Sequence, residues 1–252
     1  IPEENHTWGC FDYSQQEPRL VVHYAATKFK GDEEVTDIVE RFQNNSVDFH
    51  QTVADMANIS RTEAKVINLG LFYGMGKAKL QAELGISTKD EASKLFNKYH
   101  DSVPFVKDLS DAISRDGYIK TFGGRRCRFN KWEIAEWNAG KLVPPTSKAD
   151  AEAAYFLKYP KATTANIRRA MTYKALNKLI QGSAADMTKQ AMLDLYREGI
   201  VPHIQIHDEL DISVIDKKQS DRIIEIMEKA VTLKIPNKVD YESGDNWGEI
   251  NG

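Results

Sequence analysis

Ile204-Gln205-Ile206-His207-Asp208-Glu209-Leu210-Asp211-Ile212-Ser213-Val214 is the stretch whose reading decides the fold. Two short arms rich in Ile and Val flank three consecutive ionisable residues. Alternation of apolar and polar side chains marks a strand, and a polar break between two such arms marks the tip of a hairpin. A tip carrying His-Asp-Glu costs desolvation unless positive charge sits against it, and a metal ion is one such charge. A single carboxylate is a poor holder of a catalytic divalent ion, so Asp208 is expected to have a partner elsewhere in the chain.

That partner is sought first near the N-terminus. Trp8-Gly9-Cys10-Phe11-Asp12-Tyr13-Ser14 reads as a short strand ending on an aspartate. Pro18 is tolerated in a first helical turn and starts a helix carrying Leu20, Val21, Val22 and Tyr24. An aspartate at a strand end beside a helix start is well placed to hold a metal, although a lone Asp12 reads more readily as a turn residue.

Asp32 to Ala57 reads as mostly helical, with Val47 to Thr52 inside it. Arg61 to Gly74 reads as a helix stopped by Gly74-Met75-Gly76. Within it Arg61, Lys65, Leu69 and Tyr73 recur every fourth residue and form one stripe, about 18 Å long at 1.5 Å per residue. Two cations one turn apart repel unless an anion lies between them. A nucleoside triphosphate matches the stripe, with phosphates at Arg61 and Lys65 and the base near Leu69 and Tyr73; an ordinary amphipathic helix with solvated cations is the plain alternative.

Residues 77 to 114 read as two helices about Gly85-Ile86-Ser87, with Ser87 or Thr88 as a cap. Gly117 to Phe129 reads as a hairpin with a Gly-Gly turn, its cations, among them Arg125 and Arg126, interleaved with aromatics in a pattern suited to a phosphate backbone. Glu133 to Pro160 reads as an inserted surface element. Asn166 to Tyr196 reads as a long helical region, in which the small residues after Gln181 allow another backbone to approach closely.

Composition bounds these readings. A chain of 252 residues, 41% hydrophobic and 28% charged, has material for one large domain or two lobes. No run of about 18 apolar residues occurs, so no membrane span is expected. Two cysteines fit a reducing compartment, and a cytoplasmic location is expected. The net charge of −3 argues only weakly against nucleic acid, since a polyanion responds to the local patch. Ile1-Pro2-Glu3-Glu4 is neither a signal peptide nor an ordinary start, which points to a processed chain or a fragment.

Three segments together resemble one family. Asp12-Tyr13-Ser14-Gln15-Gln16-Glu17-Pro18-Arg19 is similar to the first polymerase motif of family A DNA polymerases, the group of bacterial DNA polymerase I. Arg61 to Gly74 resembles their nucleotide-binding finger helix, and His207-Asp208-Glu209 their third motif. Asp48-Phe49-His50, Gly124-Arg125-Arg126, Asn177 with Gln181, and Asn246-Trp247 agree, so the resemblance covers nearly the whole chain.

The resemblance implies an α+β right-hand polymerase, with residues 1–27 and 166–252 as palm and 28–165 as an inserted, mainly helical fingers subdomain. Residues 133–165 are a possible insertion. The family's thumb lies upstream of its first motif, whereas this chain begins eleven residues before Asp12. The thumb is therefore expected on a companion polypeptide. Leu69 departs from the family's Phe or Tyr, Tyr173 from a bacterial Arg, and the Gln-Glu-Pro variant resembles viral members.

The same resemblance implies roles. Asp12 and Asp208, with the Tyr13 carbonyl, would bind two Mg2+ ions, for which Mn2+ could substitute, with Glu209 nearby. Arg61, Lys65 and His50 would hold the triphosphate, and Lys65 could protonate the leaving group. Leu69, Gln15, Glu17 and Tyr73 would complete the dNTP site, Glu17 excluding a ribose 2′-hydroxyl. Asn177, Gln181, His207, Arg125 and Arg126 would contact primer-template DNA. A single-subunit RNA polymerase, against which Glu17 argues, and a non-catalytic polymerase-derived subunit remain as alternatives.

Overall fold

The computed structural model describes residues 1–43, 48–72, 75–102, 108–109, 111–112, 117–135 and 147–251. Its organising element is a four-stranded antiparallel sheet. The first strand, β1 (Thr7–Tyr13), is followed at once by helix α1 (Gln16–Lys28). A helical block comes next: α2 (Glu33–Gln43), α3 (Phe49–Ala57), α4 (Arg61–Phe72), α5 (Lys77–Glu83) and α6 (Lys89–Ser102). A small hairpin, β2 (Tyr118–Lys120) and β3 (Arg126–Arg128), leads to β4 (Trp132–Ile134), α7 (Lys148–Lys158) and β5 (Ile167–Arg169). The chain then returns to the sheet through the long helix α8 (Ala175–Arg197), followed by β6 (Ile204–Ile206), β7 (Glu209–Val214), α9 (Lys217–Lys229), β8 (Val239–Gly244) and α10 (Trp247–Asn251).

The strand order is β6-β7-β1-β8, so the first strand sits inside the sheet between two strands from the far end of the sequence. One face is apolar by alternation. Phe11, Tyr13, Leu210, Ile212 and Val214 pack there against Met187, Ala191 and Leu195 of α8 and Ile223 and Met227 of α9. The Tyr13 hydroxyl is buried with its ring and donates to the Met227 carbonyl at 2.7 Å. A second core joins α1 to the helical block through Leu20, Val21, Ile38, Phe42, Phe49, Ile67 and Tyr99.

The expected hairpin at 204–214 is present, with Ile206 opposite Glu209 and a two-residue turn at His207-Asp208. Its arms differ from the alternation reading. β6 is an edge strand whose Ile204 and Ile206 are each 40% exposed, because neither face of it is covered. Two other expectations change. Asp48 does not lie inside a helix but starts α3, its carboxylate accepting the N–H groups of His50 and Gln51. The 166–196 region is not helical throughout. Ile167–Arg169 pair with Trp132–Ile134, where Arg168 reaches Glu133 at 2.9 Å and Arg169 lies over the Trp132 ring. Thr88 caps α6 as expected. Gly124 turns the β2–β3 hairpin with a φ of 87°, which costs glycine nothing. Among the described residues no helix is long and apolar enough to cross a membrane.

Candidate active site

The register of the sheet assembles the carboxylates. Asp12 lies opposite Glu209 on one side and Asp240 on the other. Directly paired residues of antiparallel strands project from the same face, so three acids stand in a row across three strands. Asp208 joins them from the hairpin tip. Like charges directly opposite one another are unfavourable, so such a row needs compensation.

Compensation is present for one acid and missing for three. Lys238 sits 2.8 Å from Asp240. Burial pushes the Asp240 carboxyl up, but hydrogen bonds from Lys238 and Ser14 and the charges of Lys238 and Arg19 outweigh it, leaving it below the usual range. Asp12 is pushed up to about 6, by burial first and then by Asp208 and Asp240. Glu209 is pushed up to about 7 by burial, by Asp211 and by Asp12. Asp208 is also raised by burial, with only its own backbone N–H and His207 opposing. The deficit of positive charge is therefore centred on Asp12, Asp208 and Glu209. Their donor set is oxygen only, the chemistry of a hard divalent cation.

A cleft of about 610 Å³ opens beside Asp208, lined by Gln16 and Glu17 from α1, Gln181, Ala184 and Ala185 from α8, and Gln205 and His207 from the hairpin. His207 holds a left-handed backbone (φ 53°), and Gln205 donates to its carbonyl at 2.6 Å, fixing the tip. Gly182 lets the β2–β3 hairpin press close, since a Cβ there would meet the Thr121 methyl at 2.9 Å. This is the close approach expected after Gln181. Arg125 is fastened to the same helix, its guanidinium bonded to the Asp186 carboxylate and the Gly182 carbonyl. Arg126 is exposed and lies over the Tyr118 ring. Asn177 is partly buried, with its amide nitrogen lacking a hydrogen-bond partner.

The helical block presents a second set of groups. Arg61 bonds Asp48 through Nε and Nη2, both at 2.6 Å, so one of the two striped cations already has an anion. Arg61 and the backbone N–H groups hold Asp48 low despite its partial burial, which acts to raise it. Lys65 is exposed, and among the described residues it makes no ion pair. Leu69 is half-buried; Tyr73 and Gly74, and the side chain of Tyr173, lie outside the described residues.

His50 is buried and its Nδ1 contacts the Asn68 amide nitrogen at 3.1 Å, while the buried Tyr99 hydroxyl donates to the Asn68 carbonyl oxygen. Tyr99 therefore sets the amide orientation, the amide donates to Nδ1, and the ring proton is left on Nε2. Burial, with help from Arg61 and Lys65, lowers the His50 pKa, against an opposing pull from Asp48, so the ring is neutral near pH 7. Gln15 joins the two sets. Its backbone is left-handed at the end of β1, and its side-chain oxygen accepts the Phe49 N–H at 2.8 Å.

The sequence alone did not reveal Asp240, Asn68, Tyr99 or the cleft residues Gln16 and Gln205 as participants. Asp240 was open to alternation within β8; the His50–Asn68–Tyr99 link carries no local signal.

An interior strand with flanking acids, beside a cleft and a helix carrying Arg61 and Lys65, is an arrangement suited to divalent cations and phosphate groups. A model of DNA polymerase family A matches residues 1–249, and the chain belongs to that family. It is 35% identical to a DNA-directed DNA polymerase of Pseudomonas phage M6, over all of this chain and 40% of the relative. It is 32% identical to DNA polymerase I of Bacillus caldotenax, over 98% of this chain and 26% of the relative. The POL domain of Pol1 from M. smegmatis, solved in complex with DNA primer-template and dNTP, aligns with a TM-score of 0.74 at 26% identity, over all of this chain and 42% of that one. The chain thus spans less than half the length of these relatives.

Proposed function

We propose that the chain is the catalytic portion of a template-directed DNA polymerase that extends a primer 3′-hydroxyl with dNTPs and releases pyrophosphate. In this reading residues 1–27 and 166–252 are the palm and 28–165 the fingers. The observation that carries it is the uncompensated group Asp12, Asp208 and Glu209, with Asp208 on the wall of a cleft and Asp12 and Glu209 on strands whose register brings the two ends of the chain together.

Asp12 and Asp208, with the Tyr13 carbonyl, would hold two Mg2+ ions, or Mn2+ in their place. Bound there, the metals would supply acidity at the 3′-hydroxyl and neutralise the leaving pyrophosphate. The protein's own share is positioning and charge. Lys65 offers an exposed ammonium to the triphosphate, and Arg61, already paired with Asp48, offers the outer side of its guanidinium. His50, with Nδ1 occupied by Asn68, has Nε2–H as its donor to a phosphate oxygen, which makes Asn68 a positioning residue. Glu17 lines the cleft, where it would exclude a 2′-hydroxyl, and Gln181 and His207 line it where primer-template DNA would run.

The reading includes a thumb that acts together with these residues, in the same polypeptide or on a companion. Primer extension by Asp208→Ala tests the metal assignment. Loss of extension with DNA binding retained is expected, and extension at the parent rate would sink it. Discrimination between dNTPs and rNTPs by Glu17→Ala separates this reading from an RNA polymerase. Intact-mass measurement of the active species tests the companion.

A further inference from the structure

The acid row continues one step inward along β7, where the chemistry changes. Asp211 lies directly opposite Cys10, and Glu209, two residues back, projects from the same face. Ligand atoms of the three side chains all lie within 4.8 Å of one another. Asp211 is 0% exposed and Cys10 4%. Neither carboxylate oxygen of Asp211 has a hydrogen-bond partner, and among the described residues no Lys, Arg or His pairs with it. The next pair along this face offers no help. The Ser213 hydroxyl already receives the Glu3 N–H and contacts His203, each at 2.8 Å.

A buried carboxylate without donor or counter-charge is strongly unfavourable. Contact with Glu209 relieves it only while one of the two acids keeps a proton, since two ionised carboxylates are both acceptors. Either a proton or a cation must lie between them, and the adjacent thiol favours the cation, because a thiolate adds a third negative ligand on the same face.

We propose that Cys10, Glu209 and Asp211 form a binding site for a thiolate-accepting divalent cation of the Zn2+ class, distinct from the Asp12–Asp208 pair. Sulfur and oxygen ligands at zinc distances stand about 3.5 Å apart in a tetrahedral set, so the three side chains need to draw in by roughly 1 Å. Glu209, partly exposed and with three rotatable bonds, makes that adjustment and supplies the entry side, with water as the fourth ligand. The thiol selects against Mg2+, which takes oxygen ligands. An occupied site neutralises Asp211 and draws Glu209 away from Asp12.

The test is titration of the full chain with Co2+ in the presence of excess Mg2+, in a Cys127→Ser background that leaves Cys10 as the lone thiol. The expected result is a thiolate-to-cobalt charge-transfer band that saturates at a single equivalent and is displaced by Zn2+. It should vanish in Cys10→Ser, weaken at least about tenfold in Asp211→Asn and Glu209→Gln, and persist in Asp12→Asn and Asp208→Asn. Glu209→Gln guards against misfolding of the two buried variants, because its side chain is partly exposed. Absence of the band in the parent overturns the site, as does its loss in Asp208→Asn with retention in Asp211→Asn and Glu209→Gln.

Discussion

The two halves of the candidate active site are held by different forces. On the sheet side, the placement of Asp12, Glu209 and Asp240 follows from backbone register, and a strand cannot shift by one residue without turning its apolar face outward. On the helical side, His50 is placed by a chain of buried side chains, Asn68 and then Tyr99. The sheet therefore fixes charge where charge is costly, and the backbone bears the cost of crowding. The helical side fixes a proton's location instead, through groups that one substitution can undo. The placement of the acids is thus robust to substitution of their neighbours, and the placement of the His50 ring proton is not.

Substitutions that exploit this difference range widely in size. Removing either Asp12 or Asp208 as Ala should cut primer extension about a thousandfold, roughly 4 kcal/mol of transition-state stabilisation, with overall fold and DNA binding nearly unchanged by circular dichroism and band shift. A comparable loss from a helical-side variant would break the contrast. Asn68→Ala removes the donor to His50 and an acceptor of the Tyr99 hydroxyl and should cost ~2–3 kcal/mol of stability, read by urea unfolding, together with a raised KM for dNTP. Asn68→Asp gives Tyr99 an acceptor but, when ionised, can only accept from Nδ1–H, so it should draw the ring proton from Nε2 to Nδ1, still raise KM, and cost stability through a buried charge. Lys65→Met should raise KM for dNTP by about ten- to a hundredfold, the loss of one charge-assisted hydrogen bond, without altering unfolding.

A smaller effect lies in pH. Asp12 and Glu209 keep their protons in the folded chain up to about 6 and about 7, against usual values of 3.8 and 4.5. Within those windows the folded state binds more protons than the unfolded state, so the metal-free chain should lose stability as pH rises from about 4 to about 7. Asp12 contributes roughly 1–2 kcal/mol of that loss once its partial exposure is discounted. Asp48 and Asp240 are shifted the other way and titrate below this window, whereas His23 and His50, both held below 6.5 by burial, pull against the slope within it. The acid contribution is therefore read as the difference between the parent and Asp12→Asn in urea unfolding at the two ends of the range: the variant should lose less stability on going to the higher pH, and an equal change in both would contradict the crowding. The smallest change is Arg126→Ala, which removes an exposed cation over Tyr118 and should shift stability by less than about 0.5 kcal/mol. Arg125→Ala, by leaving the Asp186 carboxylate without its partner, should cost more.

The same contrast explains what the sequence disclosed. His207-Asp208-Glu209 and Asp12 were legible because a period-two pattern and a strand end are local signals, and the family motifs fall on those residues. The β4–β5 pair was hidden in a region read as helix, because Ile167-Arg168-Arg169 is too short to show a period and pairs with a partner 35 residues earlier. Asp211 was read as the polar side of an arm, which ordinarily faces water. It is buried, and the neighbouring pair on the same face, Trp8 and Ser213, is covered by Glu3 and His203. No pattern within β7 carries that information. Arg125 looked like a cation for DNA, and only the packing of the hairpin on α8 shows how much of its guanidinium is engaged within the chain.

The interior position of β1 has a consequence for how the protein is made. Residues 7–13 leave the ribosome long before either neighbouring strand, since 209–214 and 239–244 follow about 200 residues later. At typical elongation rates of about 5–20 residues per second the strand waits tens of seconds with both edges unpaired. An apolar strand in that condition is a template for unwanted pairing with other chains. Helix α1, which follows β1 directly and docks on the helical block, gives the nascent chain a place to park its first apolar surface. The sheet can then close only after β7 and β8 emerge, so the acid row forms last and its mutual repulsion is not met until the rest of the molecule is in place to contain it.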